Sequence, residues 1–356
     1  MQASRTMNTK ENFNIEDVIG YDALYESALK CCLGTKWKTS VSSFMLNIEE
    51  KILKLSKDLH DGTYKAKEPI HFRITSPKPR DISSITFRDR VFQRSLNDNV
   101  VYPYMTRSFI YANFACQKGK GTDAARDYLD KCMHKYYRKH GSNGYILQVD
   151  IKGYYPNMRH DVCEKVFEEK LPPEVFVMVR DILRMQYKGE KGYDAGSQLI
   201  QIAGISVLDK MDHMIKERLH TKFYMRYMDD FLLIHSNYEY LQDCLEKITD
   251  YLKTIGFNIN TSKTKIISLR DGVDWLGYHY RLTDTGKVVR NLLSPNIKRQ
   301  RKKLYRLVSR WNKGLIPLEL VNESYRCWRN HASKGNTQHI INKMDDYYNS
   351  LYLKMR

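Results

Sequence analysis

The sequence lacks the marks of a zinc site, a membrane span and a secretory leader. Its seven cysteines are scattered, and no two form a CxxC pair; this argues against zinc and for a reducing, cytoplasmic compartment. No apolar run approaches the roughly 18 residues of a transmembrane helix, so we expect no membrane partner. The N-terminal stretch MQASRTMNTKEN is polar and has no signal-peptide core.

Acidic residues are also too few to balance the basic ones. The chain has 59 Lys and Arg against 41 Asp and Glu, a net charge of +18. This excess favours a polyanionic partner, nucleic acid before membrane, with a merely basic surface as the alternative. The 26 tyrosines supply rings that could stack on bases, although most should be structural. The length of 356 residues allows two or three compact units.

The phosphate-loop spacing GxxxxGK[ST] is missing as well. The Gly- and Lys-rich stretch ANFACQKGKGTD, residues 112–123, is therefore not a P-loop. It precedes a predicted helix, whose exposed amides could still meet a phosphate. An ordinary loop and helix cap is the alternative.

Hydrophobic spacing predicts an alternation of helices and extended segments after a disordered stretch over residues 1–18. Helices are expected at 21–33, 41–60, 87–101, 124–137, 171–185, 200–219, 241–254, from 294 onward and at 318–352. Extended segments are expected at 72–82, 145–149, 223–235 and 257–267, with a further hairpin that begins at 275–278 and turns near 284–286.

The stretch FYMRYMDDFLLIH, residues 223–235, contains the strongest local signal. Two apolar runs flank Asp229 and Asp230, which predicts a hairpin whose turn projects two adjacent carboxylates from an apolar sheet. Adjacent carboxylates repel, and a divalent metal would remove that energetic cost. A common Asp-Asp turn without a metal is the alternative.

A third carboxylate follows the strand predicted over 145–149. If Asp150 lies beside Asp229 in space, the two would complete a two-metal site. Tyr155 lies five residues beyond Asp150 and could sit under the sugar of a bound nucleotide, where its ring would exclude a 2′-hydroxyl. A core aromatic flanking a turn is the alternative for Tyr155.

Two cationic segments suit phosphate groups. Pro77-Lys78-Pro79-Arg80 is extended chain and could clamp a triphosphate through its two cations, with a solvated loop as the alternative. From Ser294 onward, seven cations crowd one segment among apolar residues at helical spacing. This predicts an amphipathic helix with a cationic face for a phosphate backbone, with a solvated basic face as the alternative.

Five segments occur in an order that resembles the reverse transcriptases of the prokaryotic, group II intron-like lineage. They are PKPRDISSITFRDRV, LQVDIKGYYPN, YMDD, GFNINTSKTKI and WLGY. The resemblance covers roughly Tyr21 to the C-terminus and implies an α+β right-hand polymerase fold. Its expected parts are a helical N-terminal extension (1–70), fingers with the start of the palm (71–144), a palm with an antiparallel sheet and packed helices (145–285) and a helical thumb (286–356).

The resemblance implies RNA-directed DNA synthesis by two-metal phosphoryl transfer. The implied metal is Mg²⁺, as two ions that Mn²⁺ can replace, and the implied partners are an RNA template, a DNA or RNA primer, dNTPs, and an accessory protein or oligomer. The catalytic and metal-binding residues would be Asp150, Asp229 and Asp230, with Ile151 also at the metal. The nucleotide-binding residues would be Lys78, Arg80, Tyr155, Ala195, Gly196 and Lys263. The primer- or template-binding residues would be Tyr227, Met228, Trp275, Leu276, Gly277, Tyr278, Lys298, Arg301 and Lys302.

One palm motif departs from the lineage. Ala195-Gly196-Ser197-Gln198 stands where many of these enzymes have Pro-Gln-Gly or Ile-Gly-Asn. The Gly-Ser-Gln form leans toward abortive-infection and defence enzymes, whereas FIYANFACQKGKGTDAA is close to those of diversity-generating retroelements. Antiphage defence is therefore the predicted role and diversification the alternative. Untemplated or protein-primed synthesis, or a catalytically silent nucleic-acid-binding scaffold, stay open.

Overall fold

The computed structural model describes residues 14–75, 79–194 and 196–354, which form two compact units. The first, here called the helical unit, lies within Met1–Gly119, Ile151–Arg218 and Lys247–Asn260. The second, here called the sheet unit, lies within Lys120–Asp150, Leu219–Glu246 and Thr261–Arg356. Each unit is assembled from segments far apart in sequence. The four-part division predicted above stays a prediction.

Helices make up most of the described residues. The α-helices are α1 Glu16–Ile19, α2 Tyr21–Cys32, α3 Thr39–Leu46, α4 Ile48–His60, α5 Phe87–Leu96, α6 Tyr102–Thr106, α7 Thr122–His140, α8 Tyr154–Asn157, α9 His160–Lys170, α10 Pro173–Gln186, α11 Gln198–Ser206, α12 Asp209–His213, α13 Tyr238–Thr254, α14 Ser294–Asn312, α15 Leu318–Ala332 and α16 Gln338–Lys354. Two π-helical segments, Asn97–Val101 and Met214–Arg218, continue α5 and α12.

All strand pairs in the described ranges are antiparallel. The strands are β1 Ile70–Ile74, β2 Arg80–Ser84, β3 Tyr145–Asp150, β4 Phe223–Tyr227, β5 Asp230–His235, β6 Lys265–Ser268, β7 Val273–Trp275, β8 Tyr278–Leu282 and β9 Val288–Leu292. They form a β1-β2 pair, a sheet in the order β4-β5-β3-β6 and a sheet in the order β7-β8-β9. Helices together with antiparallel sheets confirm the predicted α+β class.

The chain is ordered earlier than its polar N-terminus suggests. Residues 1–13 lie outside the described part, but the predicted disorder is wrong for α1. Val18 in α1 is fully buried, and its carbonyl oxygen accepts a hydrogen bond of 2.7 Å from Ser95 Oγ. Ser56 Oγ donates to the carbonyl oxygen of Ile19, also over 2.7 Å. Two buried serines therefore fasten α1 to α5 and α4.

The Ser95 contact gives a stability prediction. Ser95→Ala should lower the free energy of unfolding by about 1–2 kcal/mol, because a buried carbonyl loses a hydrogen-bond donor without regaining water. Urea unfolding followed by circular dichroism would measure this loss. Ser42→Ala is the matched control: Ser42 also bonds backbone carbonyls but is exposed, so its effect should stay below about 0.5 kcal/mol. Equal losses in both variants would contradict the prediction.

Several predicted elements are shorter or more broken than their spacing implied. The helix predicted over 41–60 divides at Asn47, whose φ of −125° and ψ of 42° are not helical. The helix predicted over 200–219 is likewise three segments, α11, α12 and the following π-helical turn. Within 257–267 only β6 is a regular strand, although Ile259 makes an isolated bridge with Ile151. Helix α9 was not predicted.

Aromatic and aliphatic side chains of β3, β4 and β5 form the core of the sheet unit. Phe231, Leu232 and Leu233 of β5 are fully buried, as expected for a central strand covered on both faces. Helix α7 packs on β4, where the rings of Tyr136 and Phe223 meet edge to face at 5.8 Å. The hairpin predicted over 223–235 and the strand predicted over 145–149 are both confirmed, and this rigid sheet positions the carboxylates.

The C-terminal part of the sheet unit is helical, as predicted, with a break between α15 and α16. The loop at this break is attached to the backbone of β9 by two hydrogen bonds, one from the backbone and one to the side chain of Asn336. Asn336 N donates to Arg290 O over 2.7 Å, and Asn336 Oδ1 accepts from Arg290 N over 2.9 Å.

The described residues contain neither a membrane-spanning helix nor a disulfide. In the described ranges, no helix is both long and apolar enough to span a bilayer. None of the seven cysteines, all of which are described, takes part in a disulfide.

Candidate active site

Asp150 and Asp230 face each other across the central strand pair. Asp150 is the last residue of β3 and Asp230 the first of β5, and they are register partners. Side chains of partner residues in antiparallel strands lie on the same face, with Cβ atoms about 5 Å apart. At that separation two negative charges repel by roughly 3 kcal/mol at an effective dielectric constant of about 20. The sheet therefore pairs Asp150 with Asp230, the residue that follows the Asp229 beside which Asp150 was predicted to lie.

The turn that follows β4 is one residue out of step with the prediction. Tyr227 pairs with Asp230, so the two turn residues are Met228 and Asp229 rather than Asp229 and Asp230. Met228 has a φ of 61°, in the left-handed region that two-residue hairpin turns often require and that glycine adopts most easily. Asp229 lies in the turn itself, while Asp230 is held by the strand ladder.

A buried arginine supports this turn from within the sheet. Arg226 in β4 has no exposed surface, and its Nη1 donates a hydrogen bond of 2.9 Å to the carbonyl oxygen of Met228. Arg226 was not among the predicted site residues. The signal was an arginine in the middle of an apolar strand, at a position where a charge needs a partner.

Burial and mutual repulsion disfavour ionisation of the carboxylates. Burial, the largest influence, raises the pKa of Asp230 to about 7; a hydrogen bond from Gln148 opposes the rise, and the charges of Asp229 and Asp150 add to it. The pKa of Asp229 is also raised, first by burial. Asp230 Oδ1 is buried and has no hydrogen-bond partner. A cation at this position would satisfy that oxygen and favour the ionised forms.

Lys263 provides part of the missing positive charge. Its Nζ lies 2.9 Å from Asp150 Oδ1, and this hydrogen bond is the main reason that the pKa of Lys263 is raised. The backbone N–H of Asp150 also donates to Thr264 Oγ1 over 3.4 Å. The predicted turn lysine is therefore at the carboxylates, in direct contact with Asp150.

The donor set fits a hard divalent cation. Within the described ranges, no group of three or more His, Cys, Asp or Glu side chains is arranged so that it could hold a metal ion. Asp150 forms an ion pair with Lys263 instead. The available donors are nevertheless carboxylate oxygens, which Mg²⁺ and Mn²⁺ prefer, and one of them is buried without a partner. The Ile151 side chain is buried and carries no donor, so only its backbone carbonyl could take part.

The predicted nucleotide-binding residues other than Lys263 belong to the helical unit. Lys78 and Ala195 lie outside the described residues, and Arg80 begins β2. Tyr155 packs against Gly204, where an added Cβ would come within 2.9 Å of the tyrosine hydroxyl. Gly196 approaches β2 so closely that a Cβ would lie 2.5 Å from the carbonyl oxygen of Ser83. Close packing therefore explains why both positions are glycine. The predicted roles in nucleotide binding stay predictions.

The predicted primer-binding segment is the turn between β7 and β8. Trp275 and Tyr278 have buried side chains, so they shape the turn, and any contact with a primer falls to Leu276 and Gly277, which are half-buried. Leu276 has a φ of 45°, again in the left-handed region. Arg126 of α7 donates to its carbonyl oxygen through Nε at 3.1 Å and Nη2 at 2.6 Å. Arg126 was also missed by sequence analysis.

The cationic face predicted on α14 is exposed, and it includes Lys298, Arg301 and Lys302. The Arg301 guanidinium lies over the ring of Tyr347 at 4.2 Å. A surface depression of about 470 Å³ is lined by Arg301, Lys302, Tyr305, Arg306 and Tyr347. This lining contains cations and aromatic rings and no carboxylate, a combination that suits the binding of a nucleic acid.

Comparison with known proteins gives a family match. Residues 66–280 match the family model described as "Reverse transcriptase (RNA-dependent DNA polymerase)". This segment contains the three carboxylates, Lys263 and the β7-β8 turn. A search of curated proteins found no significant match.

Solved structures to which this chain is similar include three of telomerase. One is apo telomerase from Candida tropicalis truncated from the C-terminal domain, with 14% identity, 63% of this chain and 55% of that chain covered and a TM-score of 0.48. A second is telomerase from Candida albicans with the TWJ fragment of telomeric RNA, with 13% identity, 86% of this chain and 65% of that chain covered and a TM-score of 0.47. A third is apo telomerase from Candida tropicalis, with 13% identity, 82% of this chain and 59% of that chain covered and a TM-score of 0.47. This chain spans less than two thirds of each of those chains.

Proposed function

The chain belongs to the reverse transcriptase (RNA-dependent DNA polymerase) family, which confirms the predicted reverse transcriptase domain and polymerase fold, and we propose that it is an RNA-directed DNA polymerase. It would extend a DNA or RNA primer with dNTPs along an RNA template. The observation that carries the proposal is the cluster of Asp150, Asp229 and Asp230, whose burial and repulsion favour a bound cation. Within the reverse transcriptases, we propose membership of the prokaryotic, group II intron-like lineage on the five quoted segments.

In the proposed mechanism Asp150 and Asp229 would hold two Mg²⁺ ions with support from Asp230. When bound, such ions lower the pKa of the primer 3′-hydroxyl and neutralise the pyrophosphate leaving group. The sheet fixes Asp150 and Asp230 in register, so the residues need little rearrangement to bind. Lys263, which contacts Asp150 in this structure, would be released to the triphosphate, where its positive charge stabilises the developing negative charge.

The resemblance assigns the remaining nucleotide contacts. Lys78 and Arg80 would hold the triphosphate, and Tyr155 would lie under the sugar. Gly196 would approach the nascent base pair together with Ala195. These assignments rest on the resemblance of the segments, and the proposed fingers (71–144), palm (145–285) and thumb (286–356) follow from it as well.

The exposed face of α14 gives a prediction about nucleic-acid binding. Replacing Lys298, Arg301 and Lys302 by glutamine should weaken binding to an RNA–DNA duplex regardless of its sequence. The slope of log K against log salt should fall by up to about 3, since each phosphate contact contributes about 0.9 on duplex DNA. Fluorescence anisotropy at several salt concentrations would measure it. The charge-matched control replaces Lys51, Lys54 and Lys57, exposed on α4; an equal change there would contradict a specific role for α14.

The direct test of the proposed function is primer extension by the purified protein. The reaction would contain a heteropolymeric RNA template, a DNA primer, dNTPs and Mg²⁺. We expect DNA whose sequence is complementary to the RNA and whose synthesis stops when the template is digested beforehand. Product of unrelated sequence, or resistant to prior template digestion, would instead indicate untemplated or protein-primed synthesis. Tight RNA binding without any incorporation would point to a nucleic-acid-binding scaffold.

For the biological role we propose antiphage defence in the cytoplasm, with an associated RNA and an accessory protein or second copy as partners. The support is the Gly196-Ser197-Gln198 form of the palm motif. The second candidate, diversification of a target gene, is supported by the segment FIYANFACQKGKGTDAA. Plaque counts on cells carrying wild type or Asp229→Asn would test the first. Sequencing of variable repeats in the native host would test the second, because only diversification leaves changes in the genome.

A further inference from the structure

We propose that two buried arginines, Arg226 and Arg126, are positioning residues that hold two strained turns in the conformation that polymerisation requires. Arg226 would fix the turn carrying Asp229, and Arg126 would fix the turn at Leu276 and Gly277. The kinetic part of this inference rests on the proposed function; the structural part does not. Both arginines and both turns lie in the sheet unit.

The two turns share an unusual backbone feature. Met228 and Leu276 have φ angles of 61° and 45°, a region that residues with a Cβ rarely adopt and that glycine enters freely. Neither side chain is of the Asn or Asp type that tolerates this region. Such strain persists only where the surroundings impose it, and it is found preferentially at functional sites.

In each turn the carbonyl of the strained residue accepts from an arginine. Arg226, with no exposed surface, donates to Met228 O over 2.9 Å. Arg126, with 6% of its surface exposed, donates two hydrogen bonds to Leu276 O, at 3.1 and 2.6 Å. A charged donor in a buried environment makes a stronger hydrogen bond than a neutral one. The carbonyl orientation that accompanies the left-handed φ is therefore fixed.

Further contacts fix the arginines in turn. The Arg126 guanidinium lies 5.0 Å from the ring of Tyr278, and its Nη1 donates to Asp123 Oδ1 over 2.8 Å. Arg226 lies within the β4-β5 ladder, where it is the register partner of Phe231. The planar, multiply donating guanidinium suits this task, and a lysine ammonium could not reproduce it.

The positions of the turns predict separate kinetic effects. Met228 immediately precedes Asp229, so loss of the Arg226 contact would displace a catalytic carboxylate and reduce kcat. Leu276 lies in the predicted primer-binding turn, so loss of the Arg126 contact would weaken primer binding and raise the KM for the primer. A purely structural role would instead lower stability and would change kcat and the KM for the primer to a similar extent in both variants.

The test compares Arg226→Met and Arg126→Met, which keep side-chain length but remove the donors. We expect Arg226→Met to lower kcat about 100-fold with primer affinity within threefold of wild type. Arg126→Met should raise the primer KM about tenfold with kcat within threefold. Met228→Gly should raise kcat in the Arg226→Met background about tenfold more than in the wild-type background. Glycine adopts the turn conformation without the hydrogen bond from Arg226. Leu276→Gly removes a side chain in the predicted primer-binding turn, so its effect is compared between backgrounds: it should improve the primer KM in Arg126→Met relative to its effect in wild type.

Hydrogen exchange gives a readout independent of activity. Each Arg→Met change should speed amide exchange about tenfold in its own turn, residues 226–231 or 274–279, and leave the other turn unchanged. Unchanged exchange in the arginine's own turn, or equal acceleration throughout the chain, would overturn the inference. So would an equal loss in kcat and primer affinity, or no specific rescue by glycine. If exchange changes locally as expected but the wild type makes no DNA, the proposed function is wrong and the structural role of the two arginines is still supported.

Discussion

Asp229→Asn is expected to reduce Mg²⁺-dependent nucleotide incorporation at least about 10³-fold. The substitution keeps the size of the side chain but removes the negative charge that would hold the cation, and metal-ion charge stabilisation contributes several kcal/mol, with each ~1.4 kcal/mol equal to a tenfold change in rate. The loss should appear in kcat, with RNA binding retained. Single-turnover extension of a labelled primer would measure it.

The control for this prediction is a carboxylate away from the site. Asp271 is exposed in the same unit, and Asp271→Asn should leave incorporation within twofold of wild type. Synthesis by Asp229→Asn at more than about a tenth of the wild-type rate would contradict the assignment of Asp229. Equal losses in both variants would indicate damage to folding rather than to chemistry.

The second large effect concerns Asp230 and the stability of the metal-free protein. Its pKa is about 7 in the folded chain against an ordinary value of 3.8. The folded state therefore binds a proton that the unfolded state has lost, and the stability this provides below pH 4 disappears as the pH rises through 7. Between pH 5 and pH 8 the Asp230 contribution to the free energy of unfolding should fall by roughly 3 kcal/mol.

Asp230→Asn should remove this fall. The asparagine amide is neutral at every pH, so the variant avoids the cost of burying a charged carboxylate at pH 8. In EDTA at that pH it should therefore be more stable than wild type, although less active. Urea unfolding at pH 5 and pH 8 would measure the difference, with Asp271→Asn as the control that keeps the wild-type slope. A wild-type pH dependence that persists in Asp230→Asn would exclude Asp230 as its source.

The sequence predicted the site most successfully where the information is local. The apolar runs on either side of Asp229 and Asp230 identified the hairpin, and the strand ending at Asp150 was correct to within a residue. The turn was misplaced by one residue because Met228 is not a typical left-handed residue and nothing local marks it. The buried contact of Arg226 explains how the chain accommodates it.

Contacts between distant segments could not be predicted in the same way. Lys263 and Asp150 are 113 positions apart; the resemblance brought them to one site but did not predict their ion pair. Arg126 and Leu276 are 150 positions apart, and no spacing connects them. The resemblance suggested contact between Trp275 and a primer, whereas the Trp275 side chain is buried. Burial depends on neighbouring strands, which a single segment does not specify.

The ion pair between Lys263 and Asp150 has a thermodynamic consequence. At the proposed metal site the ammonium would compete with the divalent cation for Asp150, so metal affinity in the absence of nucleotide would be reduced by the fraction of time that the pair is formed. A triphosphate that captures Lys263 removes this competition and thereby tightens metal binding. Linkage requires the reverse as well: the metal must tighten triphosphate binding by the same factor. One lysine would thus couple the arrival of substrate and cation, and Lys263→Gln would uncouple them.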